Sequence, residues 1–327
     1  MPARRLAPLL LALAAAAPAA GQAKKADEKV GLVRELRGHD GAVLCAAISP
    51  DGKLIVSGGA DKTLRLWDAA TGKEQTPLKG FKGPVRSVEF LPTGKDQRKP
   101  RLALVRTGEE LMLIDLSSQK PATVASYGSG TISQAVSRDA KLVACGFHPE
   151  GQVRVWEATT GKGVGRFAVT VTPPALALSP DGKSVVAASD ELTLRWYDVK
   201  TGKPQFRYKG HTSDVIGVAF RPDGRSFVSA SWDGTVRLWD RERESPVKTL
   251  KRDEVQIFCL VLSADGKRAL TASKDNVVRL WDIDGDVVLE EFGGHTERVN
   301  GIAFSADGRR AVSASSDETV RVWALPK

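Results

Sequence analysis

The stretch TVRLWD, Thr235 to Asp240, decides the fold because the chain keeps returning to it. TLRLWD ends at Asp68, QVRVWE at Glu157, TLRWYD at Asp198, VVRLWD at Asp282 and TVRVWA at Ala324. From Trp156 onward the fifth position of the phrase falls at Tyr197, Trp239, Trp281 and Trp323, steps of 41, 42, 42 and 42 residues. A period in this range predicts a four-stranded propeller blade rather than a helical repeat.

Working outward from the phrase, each unit reads as strand, tight turn, strand, polar turn, tryptophan strand and final turn. The last unit shows it plainly: RVNGIAFS, ADGR, RAVSAS, SDE, TVRVWA. Apolar and polar residues alternate with period two, the signature of a half-buried strand. The first turn recurs as SPDGK at 49–53 and 179–183, RPDGR at 221–225, SADGK at 263–267 and SADGR at 305–309. Asp-Gly suits the positive φ of a tight hairpin. Another turn recurs as ATGK, TTGK and KTGK, ending at Lys73, Lys162 and Lys203. The fold class is therefore all-β, with four-stranded antiparallel blades, and the 327 residues count as one ring-shaped domain.

The residues now carry a family resemblance. Gly38-His39, Gly210-His211 and Gly294-His295 open units that end in WD, WD and WA. The chain resembles the WD40 repeat family over about residues 31 to 327, and counting degenerate members gives a seven-bladed β-propeller. Blade two departs most: Gly80-Phe81 replaces GH, Ile114-Asp115 replaces WD, and an insertion around DQRKP lengthens its first turn. The last unit stops at Lys327 without a fourth strand, so the N-terminal segment Gly31 to Leu36 is expected to close the ring. That pairing also hides a sheet edge.

Residues 1–23 read as a secretory signal peptide and its processing region: MPARR is basic, Leu6 to Ala20 is apolar, and small residues follow. A run interrupted by Pro8 and Pro18 is short for about 30 Å of hydrocarbon. Residues 24–30 form a linker and 31–327 the propeller. The expectation is an exported, periplasmic or extracellular, monomeric protein of bacterial type with no membrane span after cleavage. Cys45, Cys145 and Cys259 fall in different blades, too far apart for a bridge, and read as small buried apolar residues. The net charge of +9 becomes +7 once Arg4 and Arg5 are removed with the leader. Much of the basic character belongs to the repeat, since Arg65, Arg154, Arg195, Arg237, Arg279 and Arg321 each stand two residues before the tryptophan slot. Nucleic acid is therefore not the expected partner.

Three blades carry a serine, a histidine and an aspartate that could be mistaken for a catalytic triad: His39, Ser57 and Asp61; His211, Ser229 and Asp233; His295, Ser313 and Asp317. Catalysis needs one exposed serine beside a base and an oxyanion site, whereas this set is repeated. Each copy is followed by Trp67, Trp239 or Trp323, and the four side chains resemble the structural tetrad of the WD40 family. The resemblance implies a buried hydrogen-bond network. Blade six keeps Thr271, Asp275 and Trp281 but has Asp253 in place of histidine. His148 is then the one histidine left for acid, base or metal chemistry, and Asp282, Asp284 and Asp286 read as a charged turn rather than a calcium loop. No catalytic residue, metal site or cofactor is expected.

Surface residues are more informative. Trp232, just before Asp233, occupies a turn position filled elsewhere by Ala60, Lys274 and Ser316, and an exposed indole is a candidate partner anchor. Lys274, Arg298, Asn300 and Arg86 complete the candidate partner-binding set on that rim. On the opposite rim Lys95, Arg98, Lys99 and Arg101 form a candidate polyanion site against Asp96. The leading expectation is a non-catalytic scaffold that binds a protein partner. The alternatives are a propeller enzyme or small-ligand binder using the central channel, and a polyanion binder using the blade-two insertion.

Overall fold

The computed structural model describes residues 30–327 apart from 92–101, 108–109, 117, 119, 127–130, 138, 140, 148–149, 170–172, 191 and 252–254. The leader, most of the linker, the four polyanion candidates, His148 and Asp253 lie outside the described residues. No helix among the described residues is long and apolar enough to cross a membrane.

Seven antiparallel sheets follow one another around the ring. Blade one holds Val43–Ile48, Leu54–Gly59 and Leu64–Asp68; blade two holds Ser87–Phe90, Leu102–Arg106, Glu110–Asp115 and Lys120–Ser126. Blade three runs from Thr131–Val136 through Leu142–Phe147 and Gln152–Glu157 to Gly163–Ala168, and blade four from Leu176–Leu178 through Ser184–Ala188 and Leu194–Asp198 to Pro204–Tyr208. Blade five comprises Val215–Phe220, Ser226–Ser231, Thr235–Asp240 and Lys248–Lys251; blade six comprises Ile257–Leu262, Arg268–Ser273, Val278–Asp282 and Val287–Phe292. Blade seven takes Val299–Phe304, Arg310–Ser315 and Thr319–Ala324 from the C-terminus and Gly31–Arg37 from the N-terminus. The closing strand pairs Leu36 with Val320 and Leu32 with Trp323, as the spare N-terminal segment predicted.

Blade one is the exception to four regular strands. Its outer segment reduces to two bridges, Leu64 with Leu78 and Trp67 with Glu74. Pro77 lies between them and has no N–H, which a free outer edge tolerates and an inner strand does not.

The turns explain why the repeat carries Ser, Asp and Gly where it does. In the first turn Asp51 Oδ1 accepts hydrogen bonds from Ser49 Oγ at 2.6 Å and from the Lys53 N–H at 3.1 Å, while the Gly52 N–H donates to Ser49 O at 2.8 Å. Gly52 sits at φ 68°, where a Cβ would be strained. The aspartate of the WD phrase caps the next turn, Asp68 Oδ1 accepting from the N–H and Oγ1 of Thr71, both at 2.7 Å.

Each blade buries one face against the blade before it and the other against the blade after. The buried apolar residues accordingly fall into seven clusters, one per seam. Trp67 and Ile55 of blade one pack with Leu36, Val320 and Val322 of blade seven, so the last seam is as apolar as the others. The three cysteines are free thiols, and burial pushes Cys45 and Cys259 up to about 12. Cys45 and Cys145 are buried and Cys259 is partly buried.

Candidate functional site

The three repeated sets close into buried relays. In blade five the Trp239 indole N–H donates to Ser229 Oγ at 2.8 Å, His211 Nε2 lies 2.7 Å from Ser229 Oγ, and His211 Nδ1 lies 2.7 Å from Asp233 Oδ2. Blades one and seven repeat this, with Trp67, Ser57, His39 and Asp61 and with Trp323, Ser313, His295 and Asp317 at 2.7–2.9 Å. One tautomer satisfies every member: the indole donates to the serine, the serine donates to Nε2, and Nδ1–H donates to the aspartate. Burial holds all three histidines below their ordinary value despite the neighbouring carboxylate. Burial works against the Asp317 carboxylate too, yet hydrogen bonds from Thr319 and His295 outweigh it and hold the group at about 2.

These relays share a triad's order of groups but not its accessibility. Ser57, Ser229 and Ser313 are each 0% exposed, and an indole already occupies the face of each hydroxyl that a substrate would approach. They therefore hold blades together and cannot act as nucleophiles. The GH glycine belongs to the same device. A Cβ on Gly38, which lies at φ 158°, would stand 2.9 Å from Arg65 Nη1 and 3.2 Å from the Trp67 ring. Blade six, without the histidine, keeps the Trp281 N–H to Thr271 Oγ1 bond at 2.8 Å and turns Asp275 onto Arg279 at 2.6 Å.

The relays anchor the loops of one rim. Ala60, Trp232, Lys274 and Ser316 each donate their backbone N–H, at 2.8–2.9 Å, to a carbonyl of the loop leading into the same blade, namely Ala42, Asp214, Gln256 and Arg298. Four equivalent positions thus stand in register on blades one, five, six and seven, which are neighbours in the ring. Trp232 is 39% exposed and its indole stacks on no other ring among the described residues. Lys274, Arg298 and Arg86 are exposed as well.

A second feature of the same arc, shared with blade three at Ile132, was not visible in the sequence. The inner strands of these four blades each skip one residue in their pairing, at Leu44, Ile216, Phe258 and Asn300. Such a bulge re-aims a side chain at the end of a strand. Phe258 receives the Arg298 guanidinium 4.1 Å above its ring. Asn300 uses its amide nitrogen twice, donating to Val43 O and Ser316 Oγ, both at 2.9 Å. The structure therefore brings Arg298 and Phe258 together, commits the Asn300 amide to the seam between blades seven and one, and leaves Arg86 on blade two, beyond the arc. Phe258 and Leu44 were missed because an apolar residue in an inner strand reads as core until the register is known.

The acidic turn of blade six is engaged in ion pairing. Arg221 donates to both carboxylate oxygens of Asp284, at 3.0 and 2.9 Å, and Asp282 caps the turn through its side chain, Oδ1 accepting from the N–H groups of Asp284 and Gly285. An open cleft of about 490 Å³ beside the outer strand of that blade is lined by Lys251, Trp281 and residues 286–291 and holds no convergent set of polar groups. No cluster of three or more metal-ligating side chains occurs among the described residues.

Four segments, residues 31–68, 202–240, 244–282 and 287–324, match the model of the WD40 family, described as WD domain, G-beta repeat. Each segment starts with the outer strand of one blade and ends with the tryptophan strand of the next. These four matches centre on the four blades of the arc. It is 29% identical over 198 residues to the nuclear distribution protein PAC1 of Coccidioides posadasii, covering 51% of this chain and 41% of that protein. It is 30% identical over 175 residues to a guanine nucleotide-binding protein subunit beta of Solanum tuberosum, covering 48% and 44%. It is 29% identical over 225 residues to a serine-threonine kinase receptor-associated protein of Gallus gallus, covering 56% and 62%. In each case the match spans less than two thirds of the relative's length. None of the three comes from a bacterium, so they lend no support to the bacterial-type reading of the chain.

Proposed function

We propose that this protein is a non-catalytic interaction scaffold that binds another protein on the rim formed by blades five, six, seven and one. The observation that carries the reading is the exposed Trp232, held by the same backbone bond that positions Lys274 and Ser316 on the neighbouring blades. A rigid ring carrying adjustable turn residues suits binding. Tryptophan and arginine, here Trp232 and Arg298 on the same arc, are residue types enriched at interface hot spots. The reading extends to an exported compartment, for which the basic start, apolar run and small residues of positions 1–23 are the support.

Affinity capture from the native exported fraction tests it, with the Trp232→Ala protein as the comparison. The expected outcome is a recovered protein whose affinity falls about 30-fold in the variant, the effect of losing a hot-spot aromatic worth about 2 kcal/mol. Undiminished capture by Trp232→Ala removes this rim as the working surface.

A further inference from the structure

We propose that the inner end of the seam between blades two and three holds a binding site for a small zwitterion bearing an ammonium and a carboxylate. Three departures from the repeat coincide there. Glu89 stands on the innermost strand where the corresponding residues are Ala47, Ala219, Val261 and Ala303. Arg106 stands where Gly58, Ala230, Ala272 and Ala314 pair with the inner strand, and Gln134 where Ala46, Val218, Leu260 and Ile302 do. A propeller repeats one apolar seam seven times, and here one seam has become polar at its inner end.

The geometry makes the three residues one site. Ser87 pairs with Arg106 and Glu89 with Leu104, so Ser87, Glu89 and Arg106 share a face of blade two, the face that packs Leu104 against Val143 and Cys145 of blade three. Gln134 pairs with Cys145 and faces back into the same seam. The polar chain has one direction. Arg106 Nε donates to Ser87 Oγ at 3.5 Å, and Ser87 Oγ donates to Gln134 Oε1 at 3.0 Å. With the amide assigned on this bond, Gln134 Nε2 is buried with no acceptor. Arg106 is 8% exposed and Glu89 is partly buried.

A buried donor without an acceptor is costly, and so is a carboxylate on an inner strand without a donor. One ligand answers both: its ammonium meets Glu89 and its carboxylate meets Gln134 Nε2 in the field of Arg106. A lone cation would face Arg106, and a lone anion would face Glu89, so neither single charge fits. Burial pushes Glu89 up to about 7, with the charge of Arg106 opposing.

Isothermal titration of the full chain with glycine and with β-alanine, against methylammonium chloride and sodium acetate at matched ionic strength, tests the site. Saturable one-to-one binding of a zwitterion is expected, with both single-charge probes about tenfold weaker or more. Glu89→Gln and Gln134→Leu should each weaken it about tenfold or more, while Trp232→Ala leaves it unchanged. The side-chain amide resonance of Gln134 in the unaltered protein gives a readout independent of how the variants fold, and it should shift on titration. Absence of saturable binding by either zwitterion, or binding that neither substitution changes, overturns the proposal and leaves an ordered water as the occupant. Failure here leaves the rim reading intact, because the two sites share no residue.

Discussion

Acidification from pH 7 to 5 is expected to destabilise the propeller, with a slope of at most about 2.7 kcal/mol per pH unit. His39, His211 and His295 are each 6% exposed and kept neutral by burial. In the unfolded chain they regain an ordinary value near 6.5 and bind up to three more protons than the native state does. A group whose native value is lowered in this way loses its stabilising contribution as the pH falls, about 1.4 kcal/mol per unit for each proton. Glu89 acts in the opposite sense. Its native value near 7 lies above its unfolded value, so between about pH 4.5 and 7 the native state gains one proton, which offsets one histidine. The net uptake on unfolding is at most two protons, which sets the upper limit of the slope.

The check is a series of thermal melts at half-unit steps, followed by fluorescence of the relay tryptophans. A fall in Tm on the order of 5 °C per pH unit is expected. Glu89→Gln removes the offset and should steepen the slope, to at most about 4 kcal/mol per unit. A second loss should appear in more acid solution, where Asp61, Asp233 and Asp317, all held low in the native state, become protonated. A Tm that stays level from pH 7 to 5 is incompatible with three buried neutral histidines.

The same residues show why the fold was legible and the site only partly so. Period, DG turns and the WD phrase are local signals, each tied to a turn or strand geometry that a few consecutive residues impose, as Ser49, Asp51 and Gly52 do. The relays were legible because four distinctive residues recur at fixed spacing. Trp232 was legible as an apolar residue in a polar turn. The bulges at Leu44, Ile216, Phe258 and Asn300 were not, since a skipped residue is a property of two strands in register and leaves no mark on either alone. Nor was the role of Asn300, whose acceptor Val43 lies 257 positions away. The polar seam escaped notice for a related reason: Glu89, Arg106 and Gln134 are unremarkable singly and become a site only when two blades face each other.

Deleting residues 30–37 is expected to lower Tm on the order of 10 °C and to drive the protein into aggregates on gel filtration. The strand does three things at once. It completes the ladder of Thr319–Ala324, which otherwise presents a row of unpaired backbone groups. It inserts Leu36, 3% exposed, between Val320 and Val322 of blade seven and Trp67 of blade one, a burial worth about 2–3 kcal/mol. It also ties the two ends of the ring through polar contacts, Arg34 donating to the Ala70 and Thr71 carbonyls of blade one at 2.6 and 3.0 Å, and Glu35 pairing with Arg321 at 2.9 Å. Because the first and last blades meet here, losing the strand opens a ring rather than fraying an edge. Leu36→Ala isolates the packing contribution and should cost about 2–5 kcal/mol without aggregation. A peptide of residues 30–37 added to the truncated protein should restore Tm as a saturable function of its concentration. A truncated protein that melts like the parent would mean that the ladder with Thr319–Ala324 contributes nothing to closure, and that the ring is held by its seven apolar seams alone.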